Sequence, residues 1–91
     1  MLRRVLAGAR KAGLRVPHGV TLRVVEHLPG KHGYAYGTVI TVERDSLTTE
    51  LLCHEVAHVL TDQIVANHKA ADHNRFWAAI YGVLYQQAVQ T

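Results

Sequence analysis

Leu2, Val5, Leu6 and Ala9 recur at helical spacing over residues 2–11, and Gly13 and then Pro17 end the pattern. The spacing predicts an amphipathic helix with a basic outer face. Between residues 20 and 27 the period changes to two, with Val20, Leu22 and Val24 on one face and Thr21, Arg23 and Val25 on the other, which predicts a strand. Residues 28–37 hold Pro29, Gly30, Gly33 and Gly37 and should turn the chain back toward a second β-rich run at 38–43. Asp45, Ser46, Thr48 and Thr49 then offer N-caps to a long helix over residues 47–65, with Glu50 suited to its first turn. The pattern breaks across residues 66–72, and Phe76, Trp77, Ile80, Val83 and Leu84 resume helical spacing to the end of the chain. The expected fold is therefore α+β: an N-terminal helix, a small antiparallel sheet built as a hairpin or meander, a central helix and a C-terminal helix.

Length and composition sharpen this outline. A chain of 91 residues suffices for one core and not for two, so residues 1–91 read as a single domain without repeat, linker or low-complexity stretch. With 48% hydrophobic and 19% charged residues it has the composition of a folded globular protein. The formal charge is +3, and Arg3, Arg4, Arg10, Lys11 and Arg15 all fall in the first fifteen residues. Such an end is most often a solvated helix face, and in its functional reading it contacts phosphate or an acidic partner. Cys53 is the lone cysteine, so neither an internal disulfide nor a Cys-x-x-Cys metal knuckle is available, and a reducing compartment is plausible. No apolar run approaches the roughly 18 residues of a membrane span, and the basic start is followed only by short apolar pieces. A cytoplasmic protein with no membrane segment is expected.

The chemistry lies in His54-Glu55-Val56-Ala57-His58. At about 100 degrees per helical residue, His54 and His58 stand about 40 degrees apart, one turn above the other, and can bind one metal ion. Glu55 is offset about 60 degrees from His58, which suits a general base better than a ligand. Zinc lowers the pKa of its bound water to about 7, and the neighbouring carboxylate can take the proton as that water attacks a carbonyl and later protonate the leaving amine. Leu52, Cys53, Val56, Ala57, Val59 and Leu60 surround these three residues with apolar positions. A metal-free polar cluster is the bland reading, and it is the poorer one because buried charge without a partner is costly.

A catalytic zinc needs a third protein ligand and one open position. Glu55 is the last glutamate in the chain, so a downstream glutamate ligand is impossible. A histidine six residues after His58 is also absent, since Ile64 stands there and Thr61 occupies the accompanying glycine position. His68, Asp72 and His73 remain as candidates. Geometry favours His73, because about seven helical residues carry the chain roughly 10 Å past His58 and a polar connector, at up to about 3.3 Å per residue, spans the return. His73 would stand at the start of the third helix, and rigid elements make better ligand supports than loop centres such as His68.

Other residues have more ordinary readings. Asp62 lies one turn beyond His58, either orienting a ligand histidine or serving as a helix-end surface residue. Phe76, Trp77, Ile80, Tyr81, Leu84 and Tyr85 read as core packing rather than a substrate box, with Tyr81 a weak oxyanion donor. Lys31, His32 and Tyr34 sit on a turn that can reach over the cleft, where His32 or Tyr34 could hydrogen-bond a developing oxyanion. His18 and His27 read as surface or strand residues, and Cys53 as a small buried hydrophobe.

The order strand, glycine-bearing turn, strand, His-Glu-x-x-His helix, connector and His73-Asn74-Arg75-Phe76 resembles the SprT-like metallopeptidases and other minimal zincins over roughly residues 20–85. In that family the third ligand is a histidine in a His-Gly-x-x-Phe type segment, which implies His73 as a ligand with Phe76 packing behind it. Asn74 stands where glycine is usual. The resemblance also implies that the strand at 38–43 borders the cleft and can pair with an extended substrate. Many members carry a Cys-rich zinc ribbon, for which a single cysteine is too few. Spartan-type members cut proteins attached to DNA, a setting that the basic first helix would fit. The expected function is a zinc metallopeptidase using His54, His58, His73 and Glu55, acting on a protein or peptide substrate. A non-hydrolytic zinc-binding module that recognises a protein or DNA partner through the basic N-terminal region is the alternative.

Overall fold

In the computed structural model, residues 1–64 and 75–90 are described. Helix α1 covers Leu2–Lys11, strands β1, β2 and β3 cover Thr21–Val25, Gly33–Tyr36 and Val39–Glu43, and helices α2 and α3 cover Thr49–Ile64 and Arg75–Gln90. The α+β architecture expected from the periodicity is the one observed. Val5, Leu6 and Ala9 turn inward from α1, as their i, i+1, i+4 spacing requires. Gly13, at φ +88°, makes the left-handed turn that ends the helix.

The sheet departs from expectation in both count and direction. Residues 33–36, assigned above to a glycine-rich turn, form a strand of their own, and the order across the sheet is β1-β3-β2. β2 and β3 make the hairpin, with Tyr36 opposite Val39 and Gly37 at φ +62° opening a two-residue loop that a Cβ would strain. β1 pairs with β3 in parallel, Leu22 beside Ile40 and Val24 beside Val42. The sheet is therefore mixed, and β3 lies at its centre with β2 at one edge. The short β2 escapes periodicity because its two tyrosines face one way and the alternate positions are Gly33 and Ala35.

Helix α2 is the middle of the molecule. Thr48 caps it, its hydroxyl oxygen accepting the Leu51 N–H at 3.0 Å. α1, β2 and α3 all pack against it, so Leu52, Cys53, Val56, Ala57, Val59 and Leu60 are all buried, and its apolar positions run nearly round the helix rather than along one stripe. Ile40 and Val42 from β3 and Ile80 and Leu84 from α3 complete the same core. Among the described residues no helix is long and apolar enough to cross a membrane.

Candidate metal centre

The face of α2 turned toward β2 carries His54, Glu55 and His58. One potential ligand atom from each lies within 4.8 Å of those of the other two. Both imidazoles are half-buried, and Glu55 is buried at 4% exposure. The three residues line a cleft of about 280 Å³ together with Asp62 on the same helix and Gly33, Tyr34 and Ala35 on β2. The helical offset anticipated from spacing is thus realised as two imidazoles and one carboxylate at a single opening.

Burial of Glu55 pushes its carboxyl up to about 7, against the opposing pull of the Lys31 ammonium. Close to neutrality the group is split between carboxylate and acid, the condition that suits a residue which both takes and returns a proton. Burial does this because β2 comes very close. A Cβ built on Gly33 would meet the Thr41 carbonyl oxygen at 3.1 Å and Glu55 Oε2 at 3.5 Å. Gly33 is needed here for space rather than for a left-handed turn. Gly33→Val is expected to cost about 1–3 kcal/mol through overpacking and to displace the Glu55 carboxylate. Thermal unfolding and the pH profile of any cleavage, compared with the parent, check this, and unchanged values in both would show that the gap is not needed.

No family model, curated protein or solved structure matches this chain. What the site can do therefore rests on its own donor set. A tetrahedral zinc with bonds of about 2 Å keeps its ligand atoms about 3.3 Å apart. Two imidazole nitrogens already within 4.8 Å meet that with small side-chain rotations, so the residues present fit the ion. His73, Asp72 and His68, the candidates for a third ligand, lie outside the described residues.

Several other assignments are now placed. Asp62 lines the cleft on the face expected for it, and Tyr34 borders it from β2 with its side chain on the other sheet face, beside Tyr36. His32 is not among the lining residues. Its Nδ1 is 2.9 Å from Ser46 Oγ, and Ser46 in turn donates to Glu43 at 3.2 Å, so this ring is tied to the base of the hairpin rather than held over the cleft. The strand bordering the cleft is β2, not 38–43, because β3 is paired on both sides and has no free edge. His18 and His27 are exposed, His27 standing 3.3 Å from Glu43. Cys53 is buried, with its thiol raised to about 11 by desolvation, and so is chemically quiet.

The aromatic positions divide in two. Ile80 and Leu84 enter the core as expected, whereas Phe76 is 47% exposed in the first turn of α3 with the Arg75 guanidinium over its ring. Phe76 is therefore not a buried packing residue. Trp77 and Tyr81 are half-buried against the site, the Trp77 ring centroid lying 4.9 Å from that of His54 and 5.5 Å from that of His58. Reading all these aromatics as one core stripe misses this. The available signal is that Trp77, Tyr81 and Tyr85 repeat every fourth position, one residue out of step with the Phe76, Ile80, Leu84 stripe.

Proposed function

We propose that this chain is a zinc-dependent metallopeptidase that hydrolyses peptide bonds in the cleft between β2 and α2. The observation that carries the reading is the convergence of His54, His58 and the buried Glu55 at one opening beside an edge strand. His54 and His58 would hold the ion, with His73 as the third ligand on the sequence argument above. Bound zinc supplies Lewis acidity, drawing electron density from a carbonyl oxygen and easing deprotonation of a water.

The rest of the reaction falls to the protein's own groups. The Glu55 carboxylate takes a proton from the attacking water and returns it to the leaving amine nitrogen. β2, which among the described residues pairs with no strand on the side away from β3, offers backbone groups to an extended peptide. Tyr34 borders the cleft from β2, but its side chain stands with that of Tyr36 on the sheet face away from Gly33 and Glu55, so no oxyanion role is assigned to it. Burial, with Glu50 adding to it, raises the pKa of the Tyr81 hydroxyl, which keeps it a neutral donor, and its ring centroid is 6.4 Å from that of His54.

Incubation with unfolded casein, with and without a chelator, tests the reading. Cleavage that chelator abolishes and zinc restores is expected. Stoichiometric zinc without cleavage would instead identify a binding module. Metal analysis of His73→Ala beside His68→Ala and Asp72→Ala tests the third ligand, and full zinc retention by His73→Ala would rule His73 out.

A further inference from the structure

We propose that Trp77 is a positioning residue that presets the two imidazoles of the metal centre. The inference rests on the zinc reading above. α3 contributes none of the residues lining the cleft, yet its first turns lay the Trp77 indole against both candidate ligands at once. The indole meets His54 edge-on, with an interplanar angle of 69°, and lies over His58 at a tilt of 32°. Its Nε1–H donates to the His54 backbone carbonyl oxygen at 3.2 Å, which fixes the indole to the very residue whose ring it contacts. Behind it, Tyr81 stacks at 5.2 Å and 8°, and Tyr85 continues the stack on Tyr81 at 6.0 Å and 16°.

These contacts act on the rotamers of the two histidines. A half-buried histidine on a helix has several staggered positions about its first side-chain bond and a broad choice about the second. Most of those positions point the ring nitrogens away from a shared ion. An indole packed against both rings removes positions that would overlap it, so less ordering remains to be done when a metal arrives. Trp77 is not among the described residues that line the cleft, so its contacts with the rings do not occupy the space open to substrate. It is placed to set affinity and ring orientation without contacting the reacting atoms.

The chain has one tryptophan, so indole emission reports on this site alone. Two variants separate positioning from bulk packing. Trp77→Phe keeps a flat ring but loses the N–H donor, and Trp77→Leu loses both. Zinc affinity would be measured by calorimetry on each protein well below its unfolding midpoint, so that loss of stability does not enter. Expected values are affinity weakened by roughly 10-fold or more in Trp77→Leu and by less in Trp77→Phe, within the range usual for residues that orient metal ligands. Metal-free protein supplies a second reading. Long-range proton–nitrogen spectra of the imidazoles should show distinct, well-dispersed ring signals for His54 and His58 in the parent, and averaged ones in the variants.

Addition of copper(II) should also quench the parent's indole emission strongly, and His58→Ala should remove most of that quenching. Zinc affinity within twofold of the parent in a folded Trp77→Leu, or in Trp77→Phe and Trp77→Tyr if the leucine variant does not fold, together with unchanged imidazole spectra, would overturn the positioning role while leaving the metal centre standing. A parent that binds no zinc would overturn both.

Discussion

Glu55→Gln is expected to keep zinc and lower kcat by about 100-fold or more, because general base catalysis contributes roughly 10²–10⁴ to such reactions. The same change should stabilise the metal-free protein at neutral pH. The Glu55 carboxyl sits at about 7 in the fold against 4.5 in an ordinary setting, since burial disfavours its charged form. Between those values the folded chain retains a proton that the unfolded chain has released. Stability therefore falls as pH rises from about 4.5 through about 7 and levels off above. Glutamine carries no such charge.

The gap in melting temperature between Glu55→Gln and the parent, both in chelator, should thus widen from pH 4.5 to 7. Glu43 acts in the opposite sense, its carboxyl held below the usual range by the Leu28 N–H, so its contribution is lost as pH falls. Both proteins keep that residue, and the comparison cancels it. A variant that cleaves as well as the parent would exclude Glu55 as the base, and a gap independent of pH would exclude its raised pKa.

His58→Ala should remove most of the zinc-dependent stabilisation. Losing one of the imidazoles proposed to hold the ion is expected to weaken binding by on the order of 100-fold or more. For the parent, free zinc at 100 times its Kd adds about 2.7 kcal/mol. In a domain of this size that corresponds to a rise in Tm of roughly 10–20 °C. The rise should shrink to about 3 °C or less in His58→Ala at the same zinc concentration and stay intact in His27→Ala, whose exposed ring stands beside Glu43 away from the cleft. An equal rise in all three proteins would place the zinc elsewhere and remove the proposed centre.

Much of the fold was legible because it is local. Helix α1 follows from 3.6-residue periodicity, and the start of α2 from a run of side chains able to cap orphan N–H groups, of which Thr48 is the one that does so. The pairing of His54 with His58 follows from helical geometry alone. Gly33 and Trp77 were not legible in their roles, since each is defined by what a distant segment brings to it. Gly33 is read as a turn residue until β2 is seen to pass within a methyl group's reach of Glu55. Trp77 reads as packing until α3 is seen to lie against the histidines.

The sequence by itself determined that one helix would carry two imidazoles and a carboxylate on neighbouring faces, because residue spacing along a helix is set by backbone geometry. It also determined that no glutamate follows Glu55 within these 91 residues, which is a matter of composition. Only the tertiary structure decided that β1 runs parallel to β3, that β2 rather than β3 walls the cleft, and that Glu55 is dry enough to hold its proton near neutrality. The physical reason is the same in each case. Strand direction, edge position and desolvation depend on contacts between segments far apart in the chain, and periodicity records only which face of each segment is buried, not which partner buries it.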